Sequence, residues 1–271
     1  MGVDKGIQVY LWGRGSRQDF RMTRTIGLIG GMSWESSAEY YRLLNEEVRR
    51  RLGGHHCARS LMLTVDFAEV EAMQRAGDWA AAGRLLSRAA RTLQEGGAEL
   101  VLLCTNTMHR VAGEIEAAIE VPFVHIVDAT AERIAGAGLT TVGLLGTRFT
   151  MEMDFYRDRM RGHGIDLIVP DEPGRTLVHD VIYRELTRNR VEDASRRAYR
   201  EIIADLTARG AQGVILGCTE ITLLIGPQDS AVPVFDSTRL HVERAVDLAL
   251  AGTAKPSGPE LSGSGLSGSG R

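Results

Sequence analysis

The stretch Thr25-Ile26-Gly27-Leu28-Ile29-Gly30 reads as a strand ending on glycine, and it is written again 116 residues later as Thr141-Val142-Gly143-Leu144-Leu145-Gly146. Both copies are continuous apolar runs rather than alternating ones. That is the pattern of a strand buried on both faces, as in a parallel sheet. Three further landmarks recur in the same order. Tyr40 is matched by Tyr156 at the same displacement, the run 97–105 by 210–219, and Val121-Pro122-Phe123-Val124 by Val232-Pro233-Val234-Phe235. One such match could be chance, but hardly four. The chain therefore reads as two similar α/β halves related by a pseudo-two-fold.

Around these landmarks short β-branched or leucine runs alternate with long helical patterns. Strands are expected at 25–29, 60–65, 100–103 and 121–126. Helices are expected at 33–51, within 67–96 and at 105–119. This order implies parallel sheets with helices on both faces. The halves are placed at 22–126 and 127–237, with a last helix at about 238–251 crossing back to pack on the first. Residues 1–21 show no clean period and read as a peripheral extension, with Met22 a candidate natural start. Residues 253–271 read as a flexible Ser-Gly tail.

Composition narrows the function. A hydrophobic share of 44%, a charged share of 25% and a net charge of −3 suit a globular protein with no nucleic-acid partner. Arginines such as Arg84, Arg88 and Arg91 fall on helical stretches as a solvated face. No apolar run reaches the ~18–20 residues of a membrane span. Three cysteines without signal-peptide order point to a cytoplasmic protein with reduced thiols.

Two of those cysteines carry the chemistry. Cys104 and Cys218 lie 114 residues apart, each after a short apolar strand and before a helix-like segment. Ligands of open parallel sheets bind beyond the carboxyl ends of the strands. Both thiols are therefore expected at that edge, flanking one cleft. A helix N-terminus after each would lower its pKa from about 8.5 and offer a carboxylate site. One cysteine alone is more often a core residue, but a matched pair in a repeated context is not. Two opposed thiols suit racemisation, which removes a proton from one face of a carbon and returns it on the other. Without His or Asp at ligand spacing they make a poor zinc site, so no metal is expected. Pyridoxal phosphate needs a lysine, and the only lysines are Lys5 and Lys255 in the peripheral ends.

With these residues quoted, the chain resembles the aspartate/glutamate racemase family, in the branch near the bacterial broad-specificity amino-acid racemases. The likeness runs from about residue 23 to residue 250. It is most specific at TIGLIGGMSWESSAEYYRLLNE (25–46), LCTNTMH (103–109), LLGTRFTME (144–152) and LGCTEI (216–221). The resemblance implies two Rossmann-like halves with the active site between them, a homodimer, no cofactor, and Cys104 and Cys218 as the catalytic pair. It also implies that Asn106 and Thr107 bind the substrate α-carboxylate with help from Thr219, while Met32 and Glu220 line the site. Aspartate-specific relatives hold the side-chain carboxylate with an Arg and a Lys. Here those regions read Asp66-Phe67-Ala68-Glu69 and Gly174-Arg175-Thr176-Leu177, leaving only Arg175 as a possible side-chain contact. Activity confined to aspartate is not expected.

Other motifs read more plainly. Gly27-Leu28-Ile29-Gly30-Gly31 lacks the G-x-G-x-x-G spacing and reads as a tight turn that brings Met32 and Ser33 to the cleft. His55-His56-Cys57 reads as a surface turn. His109 is either a tuner of Cys104 or a helix histidine with a local hydrogen bond. Glu220 either orders the site, binds the substrate ammonium, or simply favours a helix start. Related paired-cysteine enzymes, a maleate cis–trans isomerase or a hydantoin racemase, are the alternative. A non-catalytic two-lobed binding protein would leave the thiols unexplained.

Overall fold

The computed structural model describes residues 23–251. Lys5, Lys255 and the expected extension and tail lie outside the described residues. The first half runs β1 (Ile26–Gly30), α1 (Trp34–Leu52), β2 (Ser60–Thr64), α2 (Phe67–Ala76), α3 (Trp79–Glu95), β3 (Leu100–Leu103), α4 (Ala112–Glu116) and β4 (Phe123–Val124), from which α5 (Ile126–Gly136) leads into the second. The second runs β5 (Thr141–Gly146), α6 (Arg148–Glu152), α7 (Asp154–Gly162), β6 (Asp166–Ile168), α8 (Glu172–Arg184), α9 (Asp193–Ala208), β7 (Val214–Gly217), β8 (Val234–Asp236) and α10 (Ser237–Leu250). The strands form two parallel sheets of four, ordered β2-β1-β3-β4 and β6-β5-β7-β8. The two orders are the same, as the sequence repeat requires. In each sheet the direction of winding reverses beside the central strand, where open α/β sheets bind ligands.

Every residue of β1 is buried, and its two faces serve different layers. Ile26 and Leu28 pack with Tyr40, Leu43 and Leu44 of α1 and with Val242, Ala245 and Val246 of α10. Ile29 packs with Leu86, Ala90 and Leu93 of α3. Each such aliphatic side chain gains about 1.5–3 kcal/mol from full burial. The glycines of the repeat let helices approach. A Cβ on Gly27 would lie 3.3 Å from the Leu93 Cβ of α3, and one on Gly143 would lie 2.9 Å from the Leu206 Cδ1 of α9. Gly31 turns the chain with a φ of +94°, and a Cβ there would meet the Val65 carbonyl oxygen at 2.1 Å.

α10 lies against α1 and α5, and its His241 reaches into the first half. His241 Nε2 donates to the Val124 carbonyl at 2.6 Å, while Nδ1 accepts from the Tyr40 hydroxyl at 2.8 Å. Ile126, Val127 and Ile134 of α5 join the core of the second half.

Three elements differ from the sequence expectation. β2 stops at Thr64 rather than residue 65. The expected strand at 121–126 shrinks to β4, because His125 caps α5 by accepting from the Val127 N–H. The expected helix at 105–119 is a 3₁₀ turn, Thr107–Val111, followed by the short α4. In an α-helix the Thr105 carbonyl would accept from the His109 amide. Here the His109 ring takes that carbonyl at 2.7 Å, and the amide turns instead to the Asn106 carbonyl at 3.1 Å. Among the described residues no helix is long and apolar enough to cross a membrane.

Candidate active site

The carboxyl ends of β1, β2, β3, β5 and β7 converge on a cleft of about 530 Å³ between the two sheets. The turn after β1 contributes Met32 and Ser33, and the first turn of α1 contributes Ser36. β2 leads into Asp66 and Phe67, β3 into Asn106 and Thr107, β5 into Thr147, and β7 into Cys218, Thr219 and Glu220. Tyr183 of α8 closes one side.

Hydroxyl contacts join the halves across this cleft. Ser36 Oγ donates to the Cys104 carbonyl at 3.0 Å and lies 2.8 Å from Thr219 Oγ1. Thr219 Oγ1 lies 3.2 Å from Thr238 Oγ1. Thr107 Oγ1 is 3.1 Å from Thr147 Oγ1. Ser33 caps α1 by accepting from the Ser36 N–H, and its hydroxyl donates to Glu220 Oε1 at 3.1 Å.

The two cysteines are placed unequally. Cys218 is half-buried and lines the cleft. Cys104 is fully buried, packed in the core with Tyr40 and Leu102, and only the residues after it reach the cleft wall. The expectation of two cleft-facing thiols therefore holds in this structure for Cys218 alone. The difference follows from the packing: Cys104 is enclosed in a cluster with side chains of α1 and α10, whereas Cys218 lies only partly buried against the core of the second half.

The expected lowering of the thiol pKa values is also reversed. Burial pushes Cys104 upward, and burial together with the Glu220 carboxylate pushes Cys218 well upward. The segments after the cysteines are 3₁₀ turns, Thr107–Val111 and Thr219–Leu223, too short for the dipole of a long helix to build up. Cys218 Sγ donates to Glu220 Oε2 at 2.9 Å, so the thiol form is favoured.

Asn106 is buried, and its hydrogen bonds define which end of the amide is free. Ser237 Oγ donates to the Leu216 carbonyl at 2.8 Å, so it accepts from Asn106 Nδ2 at 3.2 Å. The Asn106 Oδ1 is left buried with no partner among the described residues.

Arg175 is not a cleft residue. Its guanidinium is held by Glu152 Oε1 at 2.9 Å, the Pro170 carbonyl at 2.9 Å and Glu172 Oε2 at 3.1 Å. His109 is a satisfied core histidine: its Nδ1 donates to Thr105, and its Nε2 accepts from the Ile126 amide at 3.2 Å. Cys57 is exposed, and no group of three or more His, Cys, Asp and Glu among the described residues could hold a metal. Sequence reasoning missed Ser36, Thr147 and Ser237. The repeat could have pointed to Thr147, which stands where the first half has Gly31.

The family match to Asp/Glu/hydantoin racemase spans residues 29–245. The chain belongs to that family. Its racemase fold is matched by a crystal structure from Yersinia pestis, described as a candidate Asp/Glu racemase. The two are 52% identical over 84% of this chain and 99% of that one, with a TM-score of 0.80. A second crystal structure, an aspartate racemase homologue from Pyrococcus horikoshii, is 33% identical over 84% and 99% of the two chains, with a TM-score of 0.76. Among curated proteins, the broad-specificity amino-acid racemase RacX of Bacillus subtilis is 26% identical over 159 residues. That is 59% of this chain and 68% of RacX. Family membership supports amino-acid racemase activity.

Proposed function

We propose that this protein racemises amino acids without pyridoxal phosphate, with Cys218 and Cys104 as the two acid–base groups. The supporting observation is their equivalent placement after the central strands β3 and β7 of two like-ordered sheets, with Cys218 in the cleft between them. In one direction a thiolate removes the α-proton, and the electron pair passes into the substrate carboxylate. The opposite thiol then delivers its proton to the other face. The product has inverted configuration, and thiol and thiolate have exchanged places, ready for the reverse handedness.

The neighbours fit an amino acid. Asn106 Oδ1, buried and unpartnered, is an acceptor for the substrate α-ammonium. That role differs from the carboxylate contact implied by the resemblance. The hydroxyls of Thr107 and Thr219 remain candidates to donate to the carboxylate. Glu220 receives the Cys218 proton when that thiol must become the base. Exposure of Cys104 to substrate requires the halves to part at the Ser36–Thr219 contact. Without a cationic clamp, several amino acids are expected as substrates, aspartate not alone among them.

The same proposal includes a homodimer working in the cytoplasm on a small molecule, with no nucleic-acid partner. Trp34, Tyr41 and Met62 form an exposed apolar patch beside the cleft, suited to a subunit contact. Sedimentation at monomer mass would refute the dimer. The activity test is a chiral screen of the common amino acids in deuterated water, with and without pyridoxal phosphate and chelator. Cys104→Ser and Cys218→Ser should each lose racemisation in both directions while retaining α-deuterium exchange on opposite enantiomers. Racemisation at the wild-type rate by either variant would overturn the mechanism.

A further inference from the structure

The charged side chains lining the cleft are Glu35, Asp66 and Glu220; no arginine, lysine or histidine lines it among the described residues. Glu220 is engaged with Cys218 and Ser33. The other two carboxylates are not neutralised. Asp66 accepts one hydrogen bond, from the Ala68 N–H at 3.0 Å, which caps α2 and uses a single oxygen. Glu35 has no hydrogen-bond or ion-pair partner among the described residues. The arginines on the second half's side that could have balanced them are committed elsewhere: Arg148 to Thr176 and Arg175 to Glu152 and Glu172. Glu35 is half-buried and Asp66 exposed at the cleft wall, so water tolerates both, but cap and helix-start roles do not set the sign of the cleft, whose charged lining is wholly acidic among the described residues.

We propose that the cleft selects amino acids whose side chain ends in a cation, an ammonium or guanidinium, with Asp66 and Glu35 as the specificity-determining residues. This rests on the racemase reading above and extends it to the substrate's far end. The α-carbon sits at the Cys218 side, where Asn106 and Thr219 are. The side chain then runs toward the β2 side, where Asp66 waits. Trp34, Phe67 and Tyr183 supply aromatic surface for its methylene stem and for the cation itself. A substrate with a carboxylate side chain meets like charge there and no counter-ion, the reverse of what aspartate recognition needs. The roughly 530 Å³ of the cleft leaves room for a chain longer than aspartate's.

The test compares lysine, ornithine and arginine with norleucine, the neutral counterpart of lysine, and with aspartate and glutamate. The proteins are the wild type and the double variant Glu35→Gln, Asp66→Asn; Asn caps a helix as well as Asp does, so the fold is retained. The wild type should prefer lysine over norleucine in kcat/KM by about tenfold or more, the scale of one hydrogen bond to a charged group. Aspartate should be the poorest substrate. In the double variant the lysine-to-norleucine ratio should fall toward one and aspartate should gain. A wild type that favours aspartate or glutamate, or a ratio unchanged by the double substitution, overturns the proposal. If no amino acid is racemised, the activity reading fails by itself, and calorimetric binding of lysine and norleucine to the same two proteins decides the specificity: equal affinity in both overturns it.

Discussion

The Cys218 thiol donates to the Glu220 carboxylate, Sγ to Oε2, at 2.9 Å. Negative charge at that distance stabilises the thiol and opposes the thiolate, adding to what burial already does. Glu220→Gln removes the charge, so the thiol pKa should fall, and alkylation of Cys218 should begin at lower pH than in the wild type. The same change removes a proton acceptor, so racemisation should slow although the thiolate is easier to form. A rate–pH profile for alkylation that does not move would show that Glu220 has no electrostatic hold on Cys218.

The unequal burial of the cysteines predicts an order of reactivity. In a Cys57→Ser background, which removes the exposed thiol, iodoacetamide should modify Cys218 well before Cys104. Mass spectrometry of the two peptides over time gives the order directly. Amino-acid substrate should protect Cys218. Replacing either thiol by Ala should lower racemisation by about 10²-fold or more, the usual contribution of a positioned acid or base. Modification of Cys104 first would mean that the halves spend most of their time apart.

Acid should destabilise the fold through a buried histidine cluster. His109 and His125 ring centroids are 4.5 Å apart, and His109 and His241 are 5.7 Å apart. Burial is the largest cause in each case and holds His125 at about 2, His241 at about 4 and His109 well below the usual 6.5; Arg159 also presses His125 downward. The unfolded chain binds protons as pH drops through about 6.5, and the folded chain does so only near the lowered values. Stability is therefore complete above pH ~6.5 and is lost progressively below it. Urea unfolding midpoints should be lower at pH 5 than at pH 7, with net proton uptake on unfolding. Equal midpoints at the two values would contradict neutral burial of these rings.

Tyr40 and His241 make a separate stability prediction. Tyr40→Phe keeps the ring and removes the hydroxyl that donates to His241 Nδ1 at 2.8 Å. A buried acceptor is left without a donor, at a cost of about 1–3 kcal/mol. The loss should appear as a lower midpoint in chemical denaturation. A variant as stable as the wild type would mean that His241 finds another donor.

The repeat made the architecture legible, because buried parallel strands leave long apolar signatures and each was written twice. It also pointed to the strand ends that line the cleft. What it could not convey was the side-chain competition around them. His109 takes the Thr105 carbonyl and converts an expected helix into a 3₁₀ turn. The thiol electrostatics differ for a related reason: each cysteine is followed by a short 3₁₀ turn, and burial, joined at Cys218 by Glu220, prevails over any helix dipole. Arg175 carries the right charge for a clamp, but Glu152 and Glu172, two helices back and one turn back, hold it first. Cross-cleft pairs such as Ser33–Glu220 join residues 187 positions apart, and no local pattern announces them.

The placement of α10 sets an order of events at the ribosome. Val242, Ala245, Val246 and Ala249 cover the face of the first sheet that Ile26, Leu28 and Leu100 present, and Arg51 of α1 is paired with Asp247 of α10. During synthesis the opening half emerges with that face covered by α1 alone and must wait for α10 before it can be closed, while the later half has its core residues already in hand. The nascent first half is thus the stretch most exposed to mispairing and most in need of a chaperone.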